Sequence, residues 1–355
     1  MGRFKPVAVI SAVMAVLSLA ACGDSAQTGE SRPPAPVSAE TVVGAGATFP
    51  EPLYQRWIKE FAPGEPAPVR YYGVGSGEGV TRFIAGTVDF GASDAAMTDR
   101  ELQQVTAGTV MVPATAGMVV LAYNLPQVTG PLRLPRDVYV DIFLGKLTEW
   151  NDPRIVQANP DLSLPRKTIQ VVTRRDGSGT TYAFTNHLTE ISAAWRQGPG
   201  TGKKVDFPGG AITAAGNTGV AQMIKISEGA IGYVEYGFAR RLDLPVVALQ
   251  NRAGAYVEPS PETGSAAIDA ATGTMPENLR LFLPDPEGKD SYPIVSMSWL
   301  LLYERYTDSE KLALLRHWVN QGLSSRGQQL ARELGYIPLP DSIVQKAMDA
   351  VAKIQ

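Results

Sequence analysis

The chain has 355 residues, of which 44% are hydrophobic and 19% charged, so a substantial core can form and disorder over most of the length is excluded. The formal net charge of −3 argues against a general nucleic-acid binder, which usually carries a strong basic excess. One cysteine excludes an internal disulfide, and two histidines leave little for a zinc site or a Ser-His catalytic pair. We therefore expect no metal and no cofactor.

The N-terminal segment has the pattern of a secretory signal. Arg3 and Lys5 precede an apolar run from Val7 to Ala21, which is shorter than the about 20 residues of a membrane-spanning helix. The run ends in LAAC, which resembles the bacterial lipobox, and the chain's only cysteine, Cys22, stands at the cleavage position. We predict a lipoprotein signal peptide over residues 1–21, with diacylglycerol and palmitate on Cys22. An ordinary signal peptide followed by a free cysteine is the alternative.

Beyond the signal, a polar segment leads into a globular part. Residues 22–40 hold almost no large apolar side chain, so we expect a flexible, lipid-anchored tether. Strand and helix patterns then alternate, which predicts an α/β fold with largely parallel strands. Near the C-terminus, Thr307 and Glu310 have capping-box spacing, which predicts the start of a helix, and Gly322 is placed to end it.

Three segments share one design, in which a strand ends in glycine and hydroxyl residues and a helix follows. They are GAGATFP with Thr48, GVGSGEGV with Ser76, and RRDGSGTT with Ser178, Gly179 and Thr180. Such turns present unpaired backbone N–H groups, a hydroxyl donor and the positive end of a helix dipole, and so can bind anions. The alternative is that the hydroxyls only cap their helices. An NTPase is excluded, because RRDGSGTT lacks the GKS/T ending of a P-loop.

Together these segments resemble one family. The family is that of the phosphate-binding protein of the phosphate-specific ABC transporter, a periplasmic-type substrate-binding protein. The segments similar to it are, in chain order, VVGAGATFPEPLY, YYGVGSGEGV, VDFGASDAAMTD, LGKLTEWNDP, VVTRRDGSGTTYAFT and GAIGYVEY. The resemblance runs from about Val42 nearly to the C-terminus. It implies a two-lobed α/β periplasmic-binding-protein fold, with the ligand in the cleft between lobes joined by a two-segment hinge.

The resemblance also implies that the chain crosses twice between the lobes, near residues 113–117 and 293–296. The first lobe would then comprise residues 41–115 and 295–355, and the second residues 116–294. Composition alone would suggest a simple split at mid-chain.

Carried over by motif, the family's phosphate-binding residues fall on Thr48, Phe49, Ser76, Asp94, Arg174, Asp176, Ser178, Gly179 and Thr180. Arg174 would supply positive charge, although Arg175 stands where the family usually has a small residue, so which arginine meets phosphate stays open. An ionised carboxylate only accepts hydrogen bonds, so Asp94 would recognise the proton that phosphate carries and sulfate lacks. Asp176 would hold the arginine, accept a second phosphate proton or cap a helix.

The function implied by the resemblance is capture of inorganic phosphate outside the cytoplasmic membrane and delivery to the permease subunits of an ABC importer. We expect a monomer that catalyses no reaction and binds no nucleic acid. A phosphatase-like enzyme would need a metal cluster or an activated nucleophile, whereas His187 and His317 are isolated and expected at the surface or the core edge. The anion-binding turns are also compatible with a binder of another tetrahedral oxyanion, and the lipobox with an adhesion or scaffold lipoprotein.

Overall fold

Strands and helices alternate along the chain, as the sequence patterns indicate. This computed structural model describes residues 41–355 except 65, 271, 272 and 274. The predicted signal peptide (1–21), the predicted lipid site Cys22 and the tether (22–40) lie outside the described residues. The strands are β1 (Val42–Gly46), β2 (Val69–Gly73), β3 (Phe90–Ser93), β4 (Thr109–Tyr123), β5 (Arg133–Leu134), β6 (Gln170–Arg174), β7 (Ile212–Ala214), β8 (Ala230–Glu235), β9 (Ala248–Gln250), β10 (Tyr256–Val257) and β11 (Val295–Tyr303).

The helices flank these strands. They are α1 (Glu51–Phe61), α2 (Ser76–Ile84), α3 (Asp99–Leu102), α4 (Arg136–Phe143), α5 (Pro153–Ala158), α6 (Gly179–Ile191), α7 (Ala193–Gln197), α8 (Gly216–Ile226), α9 (Tyr236–Arg241), α10 (Pro261–Asp269), α11 (Ser309–Leu323), α12 (Ser325–Leu334) and α13 (Asp341–Ala352). Within the described ranges, no helix combines the length and apolar character needed to span a membrane.

Eight strands form one mixed sheet in the order β2-β1-β3-β11-β4-β8-β6-β7, and β10-β9-β5 form a small second sheet. The outer pairs, β1 with β2 and β3 and β6 with β7 and β8, are parallel. The central pairs, β3-β11, β11-β4 and β4-β8, are antiparallel. The expectation of largely parallel pairing is therefore wrong at the centre of the sheet, where the chain passes from one half to the other.

Strand β4 connects the two halves of the sheet. It is 15 residues long and pairs with β11 over residues 109–118 and with β8 over residues 119–123. Its partner changes between Met118 and Val119. Ile294, the residue before β11, accepts a hydrogen bond from the Val119 N–H, so β4 and the start of β11 lie side by side at the change.

Each half of the sheet has its own aromatic core. In the first, Tyr54 and Trp57 of α1 meet the Trp318 ring of α11 edge to face, with centroids 5.8 and 6.0 Å apart. In the second, Tyr233 of β8 stacks on Phe184 of α6 at 4.6 Å. Such pairs add about 0.5–1.5 kcal/mol beyond the buried area. The Tyr233 stack also fixes the position of α6, at whose start the predicted site residues lie.

Helix α11 begins and ends differently from the prediction. Asp308, not Thr307, is its N-cap and accepts hydrogen bonds from the N–H groups of residues 310 and 311, both at 3.0 Å. Gly322 does not end the helix. It lies inside the last turn against the Trp57 ring, and a Cβ there would come within 2.5 Å of two ring carbons. Gly322 is thus needed for close helix packing.

His187 of α6 is fully buried, so the prediction that it lies at the surface or the core edge was wrong. Its Nε2 lies 2.7 Å from the Tyr139 hydroxyl, and its Nδ1 lies 2.5 Å from the Pro284 carbonyl oxygen. Because a carbonyl only accepts, Nδ1 carries the ring proton and Nε2 accepts from Tyr139. Burial lowers the pKa of His187 to about 4, so it is a neutral structural residue. His317 is exposed.

Candidate functional site

The predicted turns converge at one edge of the large sheet. Thr48, Ser76 and Asp94 follow β1, β2 and β3, whose carboxyl ends meet because these strands are parallel. Gly179 follows β6, in the other half of the sheet. A Cβ added to Gly179 would lie 2.5 Å from the Ser76 Oγ and 2.6 Å from the Asp94 Cβ, so turns from the two halves are in direct contact.

Asp94 is a buried carboxyl group at this junction, only 2% exposed. The Ser298 hydroxyl donates to its Oδ1 at 2.7 Å, and the Ser76 Oγ lies 3.4 Å from its Oδ2. Burial raises the pKa of Asp94 to about 7, although the Ser298 hydrogen bond, the Arg174 charge and Ser76 act in the opposite direction. Each oxygen retains a lone pair, so Asp94 can accept a further hydrogen bond when ionised.

Arg174 is the cation of the site. Its side chain is 1% exposed, and Asp176 holds the guanidinium through a two-pronged contact, in which Nε donates to Oδ1 at 2.9 Å and the second bond joins Nη2 and Oδ2. Burial raises the pKa of Asp176, but the contact with Arg174 and backbone N–H hydrogen bonds, including that of Gly216, together bring the pKa below its ordinary value. Arg175 is exposed, so Arg174 is the arginine that faces the junction.

Asp176 is therefore the residue that holds Arg174. Its Oδ1 also accepts a hydrogen bond from the Gly216 N–H at 2.9 Å, which ties β6 to the start of α8. The alternative role as the helix cap is not found, since Ser178 is the N-cap of α6. Two of the three turns likewise show no capping. The Thr48 and Ser76 hydroxyls do not cap α1 or α2, whose N-cap residues are Pro50 and Gly75 and which have no side-chain cap.

Thr48 and Thr180 are linked by a side chain that the sequence did not single out. The buried Asn217 donates through Nδ2 to the Thr48 Oγ1 at 3.0 Å and to the Thr180 Oγ1 at 3.2 Å. The Asn217 N–H also donates to the Thr48 Oγ1 at 3.2 Å. The Arg174 Nη1 lies 3.4 Å from the Thr180 Oγ1. Thr48, Thr180 and Arg174 thus lie in one continuous polar network.

Two predicted residues are already engaged with the protein. The Ser178 Oγ accepts from the Thr181 N–H at 3.0 Å, and the Ser178 N–H donates to the Lys203 carbonyl at 2.7 Å. Ser178 is thus the N-cap of α6. Phe49 packs its buried ring near Tyr336, and its carbonyl accepts from the Tyr336 hydroxyl at 2.6 Å. Of these two residues, the Ser178 hydroxyl proton and the Phe49 N–H can still be donated to a ligand.

Glycines allow the turns to meet. The Gly77 N–H donates to the Gly177 carbonyl at 2.8 Å, directly between the GSGEG and RDGSG turns. Gly75 has φ +93°, a conformation that other residues rarely adopt, and a Cβ there would strike the Asp176 Oδ2. The glycine excess in the sequence is thus partly explained by close backbone approach at this site.

Asn217 and Ser298 belong to the candidate site but were not predicted from the sequence. Asn217 stands in GNTG, a fourth turn in which glycine precedes a polar residue at the start of a helix, so the pattern used for the other three turns would have found it. Ser298 lies inside the apolar strand β11 and carries no such signal. Among the described residues, no group of three or more His, Cys, Asp or Glu side chains is arranged to hold a metal ion.

Comparison with known proteins defines the class first. Residues 31–319 match the family model described as a PBP superfamily domain. A solved structure of a high-affinity periplasmic phosphate-binding protein bound with phosphate superposes with a TM-score of 0.72 at 21% identity, covering 87% of this chain and 93% of that one. This likeness confirms the predicted two-lobed periplasmic-binding-protein fold.

Sequence relatives define the family. The phosphate-binding protein PstS of Pasteurella multocida is 39% identical over 309 residues, which cover 87% of this chain and 89% of the relative. PstS of Haemophilus influenzae is 40% identical over 307 residues, covering 86% and 91%. The chain belongs to the PstS family of phosphate-binding proteins, which confirms the resemblance found in the sequence. The relatives are named for binding, in agreement with the prediction of a protein without catalytic activity.

Proposed function

We propose that this protein captures inorganic phosphate outside the cytoplasmic membrane and delivers it to an ABC importer, without catalysis. One observation carries the proposal. Four groups meet at the contact between the two halves of the sheet: the buried Arg174 guanidinium, the Thr48 and Thr180 hydroxyls, and the buried Asp94 carboxyl group. Cation and hydroxyl donors suit an anion, and a carboxylate among them suits an anion that still carries a proton.

Both the charge of Arg174 and the dipoles of neutral groups would attract the anion. Arg174 offers a forked donor of fixed geometry, but Asp176 already offsets part of its charge. Hydroxyls and backbone N–H groups at the helix starts must then meet most of the ligand charge. This explains how a protein with net charge −3 can bind an anion. Ionised Asp94 would accept the phosphate proton and repel sulfate, which has none to offer.

Binding would proceed by closure of two lobes, residues 41–115 with 295–355 and residues 116–294. The course of β4 and β11 supports a hinge here, because both strands stand at the centre of the sheet where its two halves join. Contacts between the predicted lobes, such as Thr48 with Asn217, would form as the cleft closes around the ligand.

We propose in addition that Cys22 is lipidated and holds the protein on the outer face of the cytoplasmic membrane, as a monomer that docks to permease subunits. The LAAC sequence supports this anchor. Stable anchoring requires two or more acyl chains. Replacement of Cys22 by serine should move the protein from the membrane fraction to the soluble fraction of cells. Unchanged membrane recovery of C22S would contradict the anchor and leave phosphate binding untouched.

The proposed function is tested by titrating phosphate into the purified protein in a calorimeter, after pre-bound phosphate has been removed. We expect saturable binding of phosphate and arsenate and none of sulfate. R174K should weaken phosphate binding by about 10- to 100-fold because a lysine cannot reproduce the forked donor. R175K, which keeps the same charge at the exposed neighbouring position, should bind as the unmodified protein does. No phosphate heat from the unmodified protein would overturn the proposal.

A further inference from the structure

Asn217, the second residue of α8, sets the direction in which two hydroxyl groups can donate. It is fully buried, and each polar atom of its side chain has a partner inside the protein. Its Oδ1 accepts from the Glu235 N–H at 3.0 Å, while Nδ2 donates to the hydroxyls of Thr48 and Thr180. Because the Glu235 N–H can only donate, the amide cannot be reversed without placing donor against donor.

The acceptor lone pairs of the Thr48 and Thr180 hydroxyls are then already used within the protein. A threonine hydroxyl has one proton and two acceptor lone pairs. The Thr48 Oγ1 accepts from both the Asn217 N–H and Nδ2, at 3.2 and 3.0 Å. The Thr180 Oγ1 accepts from Asn217 Nδ2 at 3.2 Å and lies 3.4 Å from the Arg174 Nη1. In both residues the lone pairs face protein donors, and the proton is left for another partner.

We propose that Asn217 is a positioning residue that makes Thr48 and Thr180 act only as donors, so that this side of the cleft accepts unprotonated oxygens. The inference rests on the proposed phosphate-binding function and deepens it. Asp94, whose carboxyl oxygens already face Ser76 and Ser298, is the acceptor of the site. The two sides together orient the ligand, with its P–OH group toward Asp94 and its bare oxygens toward Thr48 and Thr180.

Replacing Asn217 by aspartate separates this role from simple packing. N217D keeps the size of the side chain and the acceptor for the Glu235 N–H, but it replaces the Nδ2 donor by a second acceptor. Thr48 and Thr180 would then donate to the new carboxylate instead of to phosphate. We expect phosphate affinity to fall at least about 100-fold, since two hydrogen bonds to a charged ligand are lost and a like charge is added beside it.

The order of the phosphate affinities of N217A and N217D shows whether Asn217 positions the two hydroxyls or only fills space. N217A deletes the whole amide and costs more packing, yet it leaves the hydroxyls free to donate, so we expect N217A to bind phosphate more tightly than N217D. N124D is the matched control. Asn124 donates through Nδ2 to carbonyls at the far end of α8, at 2.9 and 3.0 Å, and N124D should leave affinity within about threefold. N217D binding as tightly as N217A, or more tightly, would overturn the inference.

A mutant cycle gives an independent answer, including the case in which N217D does not fold. If Asn217 acts through the hydroxyls, N217A should lower phosphate affinity in the unmodified protein and change it by less than about threefold when Thr48 and Thr180 are both valine. An equal loss in both backgrounds would overturn the inference and leave the proposed function standing. Absence of phosphate binding by the unmodified protein would instead overturn the proposed function itself.

Discussion

Asp94 shows how the proposed role of a residue in binding conflicts with its contribution to stability. Its carboxyl group is buried and bonded to hydroxyl groups, and burial raises its pKa from 3.8 to about 7. Between these two pH values the folded protein holds a proton that the unfolded chain has lost. The contribution of Asp94 to stability is therefore present at low pH and is lost as the pH rises through about 7.

Replacing Asp94 by asparagine should therefore affect stability and selectivity in opposite directions. At pH 8, D94N should raise the free energy of unfolding of the ligand-free protein by about 2–4 kcal/mol, and this gain should vanish toward pH 4. Denaturant unfolding at both pH values measures it. A gain of equal size at both pH values would show that charge is not its cause.

In binding, D94N should lower the preference for phosphate over sulfate by at least about 100-fold, because an amide can donate to a sulfate oxygen where the carboxylate repels it. Competition titration with the two anions measures this ratio. An unchanged ratio would remove Asp94 from the role of proton acceptor, whatever its effect on stability.

At the residue scale, the sequence predicted where the glycine-rich turns lie in the fold more reliably than the hydrogen bonds made there. Turn chemistry placed Thr48, Ser76 and Ser178 correctly at strand ends, but it could not tell that only Ser178 caps its helix. Ser298 was beyond prediction, because a serine within an apolar strand is explained only by its partner across the sheet, the carboxyl group of Asp94.

At the scale of elements, local patterns predicted the helices and strands, whereas pairing between distant strands was not encoded locally. The antiparallel centre of the sheet depends on β4 and β11, which are nearly two hundred residues apart in the sequence and lie side by side only in the fold. The position of Gly322 in α11 also depended on a distant residue. The Trp57 ring, in α1, explains why Gly322 lies within the helix.

The start of α11 offers a matched test of local capping. Asp308 accepts from two N–H groups of the first turn, whereas Thr307 lies exposed beside it. D308A should lower the free energy of unfolding by about 1 kcal/mol, and T307A should change it by less than about 0.5 kcal/mol. Chemical denaturation of both variants compares them. A larger effect for T307A would restore the capping box that the sequence suggested.

At the scale of the whole molecule, contacts outside the candidate site also join the two predicted lobes. Lys203 Nζ lies 2.8 Å from the Glu101 Oε1, and both side chains are partly buried. Burial raises the pKa of Glu101, but hydrogen bonds from Lys203 and Thr98 bring it below its ordinary value. Arg280 also contacts the Asp99 carboxylate at 2.7 Å. Both acids belong to α3, so this short helix forms ion pairs with residues of the other predicted lobe.

Removal of the ion pair between Lys203 and Glu101 should speed phosphate release. K203M should raise the dissociation rate about two- to fivefold, the range expected for a partly exposed ion pair. K167M is the control, because Lys167 pairs with Glu228 at the same 2.8 Å inside one predicted lobe. Stopped-flow displacement measures both rates. Equal rates for K203M and the unmodified protein would show that the Lys203 contact does not hold the cleft closed.

A crystal structure of the protein with phosphate would show whether the anion binds where Arg174, Asp94, Thr48 and Thr180 meet. We expect phosphate oxygens within about 3.2 Å of the Arg174 guanidinium, the Asp94 carboxyl group and both threonine hydroxyls. Phosphate bound elsewhere, with these four side chains in contact only with protein or water, would show that the proposed site is wrong.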